Sequence, residues 1–360
     1  MKLLTILGAR PQFIKAAALS REIKNHDDIS ETILHTGQHF DENMSDIFFK
    51  EMDIPAPKYQ LTVNSLSHAA MTGQMMAEID TIINIENPRA VIVFGDTNTT
   101  LAGAITAAKL DIPVIHIEAG LRSFNMKMPE EINRILTDRI STLLCCPTET
   151  AMENLKREGF DSFGCKVSKT GDLMEDATLF YREIAKQSRD TLTNFGLTEN
   201  NFILATVHRA ENTNSIENLS NIITALNHIA ENISVIVPLH PRTKKIIIET
   251  GLKTNFQIID PVGYFDMINL IQGSKMVITD SGGLQKEAFF FRKFCITMRN
   301  ETEWTELIEN GYNFICGTNP ELIYSKFTEL NSVTKFHSPI NLYGNGLASQ
   351  NIIAEIRSLF

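Results

Sequence analysis

The sequence predicts an α/β fold of two doubly wound, Rossmann-like domains facing each other across a cleft. Three observations lead there. Short apolar runs alternate with amphipathic stretches, which marks a parallel sheet wrapped by helices. That alternation starts afresh after Gly171-Asp172. The 360 residues exceed one ordinary core, so two domains are the default. The first is expected over residues 1–172, rejoined by a C-terminal helix over 346–360, and the second over 173–345.

Taken in order, the strands of the first half are "KLLTILG", "ETILHTG", "AVIVFGD", "PVIHIEA" and "LLCCPT". Helices are read in "PQFIKAAALSREIKN", "SHAAMTGQMMAEIDTIINI" and "EEINRILTDRIST", where apolar residues recur at helical spacing. The second half supplies "FILATVHR", "VIVPLHP", "FQIIDP", "MVITDS", "FCITMR" and "NFICG" as strands, and "GLASQNIIAEIRSLF" as one last amphipathic helix. No tandem repeat is visible.

A hydrophobic content of 43% and a charged content of 21% describe a globular chain. The net charge of −10 argues against nucleic acid and anionic membranes as partners. The opening "MKLLTILGARPQ" is too short in its apolar run for a signal peptide, and no run reaches the roughly 18 residues that span a bilayer. Five cysteines are odd in number and none forms C-x-x-C, so the expectation is a reduced, cytoplasmic protein.

Ligands of doubly wound sheets sit beyond the carboxyl ends of the strands, so polar residues there are the ones to read. They are Arg10 and Lys15 beside the Gly8 turn, Asp96, Glu118, Arg122, Glu130, Glu131, His208, Arg209, Glu211, His240, Arg242 and Glu287. In "TDSGGLQKEA", Ser281, Gly282 and Gly283 open a helix whose unpaired N–H groups suit an anion. Each has a plainer reading. Asp96 and Asp280 serve equally as N-caps, Glu130 as a dipole partner, and Arg122 and Arg242 as surface cations. His35 and His39 have metal-pair spacing, but Gly37 between them spoils a helix. Acids and cations recurring at the same edge in both halves favour a site. No G-x-G-x-x-G follows the first strand, no P-loop is present and no zinc cluster is visible.

Together "GARPQFIKAA", "FGDTNTTLAGAITA", "PVIHIEAGLR", "MPEEINRILTDRIS", "HRAEN" and "TDSGGLQKEA" resemble the non-hydrolysing UDP-N-acetylglucosamine 2-epimerases, from the first strand to the last helix. The resemblance implies a glycosyltransferase-B architecture, a UDP-sugar substrate, no NAD or metal cofactor, and a homodimer. It implies interconversion of UDP-N-acetylglucosamine and UDP-N-acetylmannosamine by elimination and re-addition of UDP, for surface polysaccharide precursors. On that basis Asp96, Glu118 and Glu130 manage protons at C1 and C2, and His208 steadies the leaving diphosphate. Arg10 and Lys15 face the nucleotide-sugar, Ser281, Gly282 and Gly283 clamp the nucleotide, and Glu287 accepts from ribose.

Two departures bear on regulation and substrate. Ala210 stands where many members carry an arginine of an allosteric UDP-N-acetylglucosamine site, although Gln38, His39 and His240 match other residues there. "GARPQ" with "ETEW", which places Trp304, is closer to a subgroup acting on UDP-2,3-diacetamido-2,3-dideoxyglucuronate; Lys127, close to Glu130, would then face the sugar carboxylate, its plainer reading being a solvated lysine between two methionines. A transferase of the same architecture is the competing class. It is disfavoured by the negative charge and the lack of a basic amphipathic helix.

Overall fold

The computed structural model describes residues 1–38, 54–64, 66–188, 190–333, 336 and 341–360. They fall into two compact units, Met1–Ala177 with Asn341–Phe360, and Thr178–Ile340.

The first unit holds a seven-stranded, all-parallel sheet in the order β3-β2-β1-β4-β5-β6-β7. Its strands are β1 (Lys2–Leu7), β2 (Ser30–His35), β3 (Tyr59–Gln60), β4 (Ala90–Phe94), β5 (Val114–Ile117), β6 (Leu143–Cys146) and β7 (Lys166–Lys169). The interior strands β4 ("AVIVF"), β5 and β6 are buried along their whole length, as expected of a parallel sheet covered by helices on both faces. The order reverses between β1 and β4, and right-handed crossovers therefore leave a crevice beyond their carboxyl ends.

The second unit repeats the plan with six parallel strands, β10-β9-β8-β11-β12-β13. They are β8 (Phe202–Thr206), β9 (Ser234–Pro238), β10 (Gln257–Ile259), β11 (Met276–Thr279), β12 (Cys295–Thr297) and β13 (Asn313–Ile315). Here the reversal lies between β8 and β11.

The α/β, doubly wound class read from the sequence holds, as do all eleven of the strands it named. The structure adds β3 and β7. One has two residues and the other is half-exposed "KVSK", so neither carries an apolar signature.

The helix Asn98–Lys109 packs closely on β1 and β4. A Cβ at Gly103 would lie 3.0 Å from Ile6 Cδ1 and 3.1 Å from Val93 Cγ1, so the glycine sets that approach. Met71 and Met75, from the methionine-rich helix His68–Glu86, sit in the same core. The chain leaves the first unit along the helix Leu173–Ser188 and returns to it for the final helix, Ala348–Leu359. Asp176 caps that last helix, accepting the N–H groups of Ala348 (3.0 Å) and Ser349 (2.8 Å). All five cysteines are free, and burial pushes the Cys145 and Cys146 thiols up. Among the described residues no helix is long and apolar enough to cross a membrane.

Candidate functional site

At the β1/β4 reversal, Gln12 ties the two strand ends together. Its Oε1 accepts the N–H groups of Gly8 (2.7 Å) and Ala9 (3.0 Å), and its Nε2 donates to Phe94 O (2.8 Å) and Thr97 Oγ1 (3.0 Å). Sequence reading passed over Gln12, because a buried amide is recognisable only from partners far along the chain. Lys15, from the helix Arg10–Ile23, pairs with Glu118, which follows β5; both side chains are nearly buried. Glu118 adopts a φ of 68°, a left-handed backbone that costs a non-glycine residue energy and recurs at functional sites. Gly95 makes room for the pair: a Cβ there would stand 3.1 Å from Glu118 Oε2.

Asp96, one residue beyond Gly95, is not a helix cap. Thr97 caps the helix Asn98–Lys109, and the Asp96 carboxylate instead pairs with Arg134. Arg134 also donates to the buried Glu131 at 2.6 Å, while Glu131 accepts the N–H groups of Ser123 (3.0 Å) and Phe124 (2.8 Å). The Asp96 side chain is 29% accessible. Burial pushes its carboxyl up, Arg134 pulls down, Glu118 adds to the push, and the net shift is upward. Glu130 lies in the first turn of the helix Pro129–Ile140, half-buried, and its side chain has no partner among the described residues.

Arg122 is a correction to the surface-cation reading. It is buried, donating to Asp138 Oδ2 at 2.7 Å and by a two-pronged contact to Glu158 at 2.7 and 2.8 Å. Burial pulls its guanidinium down, but the two carboxylates more than offset this and the net shift is up.

In the second unit Asp280 is likewise no cap of its own helix. Fully buried, it accepts the N–H groups of His208 (3.1 and 3.2 Å) and Arg209 (3.0 Å), the Asn212 amide (3.1 Å) and His208 Nδ1 (3.1 Å). The His208 ring is thereby oriented by its Nδ1, while 55% of its side chain remains accessible. Burial pushes the Asp280 carboxyl up, but the bonds from His208 and Asn212 win and hold it below the usual range.

Ser281 caps the helix Gly282–Phe290, its Oγ accepting Leu284 N–H at 3.4 Å. Gly282 and Gly283 thus supply the first N–H groups of that helix, which have no intrahelical acceptor. A Cβ at Gly282 would meet Glu303 Oε1 at 2.5 Å, and Glu303 is held by Arg299 at 2.9 Å. Among the described residues a Cβ at Gly283 would meet nothing within 4 Å beyond its chain neighbours and its own helix backbone. Trp304 donates its Nε1–H to Gly282 O at 3.0 Å, and Lys286 Nζ lies 3.9 Å from its ring centroid. Glu287 is buried one turn into the helix.

Of the remaining candidates, the Gln38 carbonyl accepts Thr99 N–H at 3.0 Å, and His240 Nδ1 accepts Arg242 N–H at 3.2 Å at the start of the helix Pro241–Glu249. Lys127 is exposed. His39 and the side chain of Arg10 lie outside the described residues. Among the described residues no cluster of His, Cys, Asp and Glu is placed to hold a metal ion.

Two doubly wound units, one with carboxylate–cation pairs at its reversal and the other with a glycine-opened helix start, define an enzyme of the two-Rossmann-unit α/β class. A family model described as UDP-N-acetylglucosamine 2-epimerase matches residues 21–357. The chain belongs to the UDP-N-acetylglucosamine 2-epimerase family and is an isomerase. It is 51% identical to the UDP-2,3-diacetamido-2,3-dideoxy-D-glucuronate 2-epimerase of Pseudomonas aeruginosa, with 100% of both chains covered. It is 42% identical to the UDP-N-acetylglucosamine 2-epimerase of Methanocaldococcus jannaschii, covering 98% of each. The crystal structure of the M. jannaschii enzyme in complex with UDP-GlcNAc and UDP superposes with a TM-score of 0.89 at 40% identity, covering 99% of this chain and 100% of that one. The enzyme from Neisseria meningitidis bound to UDP-GlcNAc gives 0.90 at 31% identity, covering 99% and 100%.

Proposed function

We propose that this protein inverts C2 of a UDP-linked 2-acetamido sugar by eliminating and re-adding UDP, with UDP-2,3-diacetamido-2,3-dideoxyglucuronate the preferred substrate and UDP-N-acetylglucosamine the second. The 51% identity to the P. aeruginosa enzyme over the whole of both chains carries that preference. The C2 proton is not adjacent to a carbonyl, so its removal has to be coupled to departure of UDP. The C2–H bond breaks, its electron pair forms C1=C2, and the C1–O pair leaves on the β-phosphate. Reversal with the proton delivered to the opposite face yields the epimer. This sequence balances without nicotinamide or metal.

In this reading Asp96, whose carboxyl is pushed up by burial, is the proton donor, and Glu118, paired with Lys15, is the acceptor. The two exchange roles in the reverse direction. Glu130 is available to pass protons to solvent. His208, oriented by Asp280, and the N–H groups of Gly282 and Gly283 stabilise the departing diphosphate. Ser281 shapes that turn, Glu287 accepts from ribose, and Arg10 and Lys15 hold the nucleotide-sugar. Lys127 meets the sugar carboxylate. The homodimer and the cytoplasmic location expected from the sequence belong to the same proposal.

Incubation of the pure protein with each UDP sugar in turn, followed by proton NMR of the anomeric signals, tests the reading. Epimer should accumulate without free sugar, faster from the uronate. Release of free sugar, or no turnover of either, would contradict it.

A further inference from the structure

We infer that His116 and Asp138 are positioning residues that fix the separation of the turns carrying Asp96 and Glu118. The inference rests on the roles proposed above for those two carboxylates. His116 lies in β5 and Asp138 in the helix Pro129–Ile140, and both are 0% exposed. His116 Nε2 donates to Gly95 O at 2.7 Å, and Gly95 immediately precedes Asp96. The other ring nitrogen, Nδ1, meets Asp138 Oδ1 at 2.6 Å. The second Asp138 oxygen accepts Gly120 N–H at 3.2 Å, two residues after Glu118, and Arg122 Nη1 at 2.7 Å. One imidazole–carboxylate pair therefore grips the Asp96 turn at one end and the Glu118 turn at the other.

Those turns need holding. Gly95, Glu118 and Gly120 have φ of 62°, 68° and 79°, and left-handed backbone at a non-glycine persists only where its surroundings impose it. A Cβ at Gly120 would lie 2.5 Å from Ala151 O, so the turn has no room to relax by substitution. The same helix reaches Asp96 a second time through Arg134. Burial pushes the Asp138 carboxyl up, but His116 and Arg122 outweigh it and keep the group ionised.

Two substitutions separate the ends of the device. H116N places an amide donor where Nδ1 stands, keeping Asp138 and losing Gly95. H116Q places one where Nε2 stands, keeping Gly95 and losing Asp138. With the UDP sugar that the wild type turns over, H116N should lose kcat on the order of 30- to 100-fold while KM and the UDP dissociation constant stay within about threefold. It should also release UDP and the unsaturated sugar in place of part of the epimer, a leak that a core-stabilising residue would not control. H116Q should retain more of kcat and leak less.

Should H116N not fold, D138N provides the second variant, with the same kcat-against-KM split and leak expected. Equal losses in H116N and H116Q that follow the drop in Tm, without a leak, would overturn the inference and leave the functional reading intact. A wild-type protein inert toward both UDP sugars would overturn both.

Discussion

His208 and Asp280 are joined twice. The ring Nδ1 lies 3.1 Å from one carboxylate oxygen, and the backbone N–H of the same histidine is 3.1 and 3.2 Å from the two oxygens. Replacing Asp280 by asparagine puts an amide among buried N–H donors, so D280N should cost about 1–3 kcal/mol of stability and slow catalysis. The carboxyl is held below its ordinary value of 3.8 in the folded protein. Its stabilisation is therefore fully present above that pH and is lost as pH falls through the lower folded value. Tm measured against pH should show the wild-type advantage over D280N shrinking below about pH 4. A gap independent of pH would contradict the assignment.

Gly283 and Gly282 should respond differently to alanine. Among the described residues, a Cβ at position 283 meets no atom within 4 Å beyond its chain neighbours and its own helix backbone, whereas at 282 it meets Glu303 at 2.5 Å. G283A should keep the wild-type Tm, because nothing in the fold resists it, yet weaken UDP binding by blocking approach of phosphate to the helix start. G282A should lower Tm as well. Calorimetry of UDP binding beside thermal melts checks this, and a G283A protein that binds UDP as the wild type does would remove the anion site from that turn.

How far such detail was legible beforehand depended on distance along the chain. The strands and the glycine-opened turn are local patterns, and "AVIVF" or "TDSGG" declares itself. Partners from afar do not. Asp280 reads equally well as a cap because it is a strand-end aspartate before a helix, yet Ser281 does the capping and Asp280 holds the turn after β8, where His208 lies 72 residues earlier. Arg122 reads as a surface cation because nothing local shows that Asp138 and Glu158 will enclose it. Arg134 was missed for the same reason: its tie to Asp96 spans 38 residues. The edge strand "KVSK" lacked the apolar signal altogether.

Trp304 is the only tryptophan in the sequence, and it bonds Gly282 O at 3.0 Å with Lys286 3.9 Å from its ring centroid. Nucleotide at the helix start should change the environment of that ring. Titration with UDP should give a saturable change in intrinsic emission whose midpoint matches the calorimetric dissociation constant. The signal should vanish in W304F. Emission indifferent to saturating UDP would place the nucleotide elsewhere.

Glu175 gives a second pH dependence, of opposite sign. Burial pushes its carboxyl from 4.5 up to about 7, against the pull of the Gly346 N–H at 3.3 Å. The folded protein keeps this proton where the unfolded chain has lost it. Its contribution is thus fully present below 4.5 and is lost as pH rises through about 7. Glutamine mimics the neutral form, so the Tm of E175Q should exceed that of the wild type by a margin that widens between about pH 5 and pH 8. A constant margin would show that Glu175 titrates normally.

The central claim is that C2 loses and regains a proton while UDP departs and returns. The most direct measurement is turnover of the UDP sugar in D2O without added cofactor, with the product followed by NMR and mass spectrometry. The account predicts one deuterium at C2 in each molecule of epimer formed, with UDP again attached at C1. Epimer that retains its original C2 proton, or that forms only when nicotinamide is supplied, would contradict elimination and re-addition.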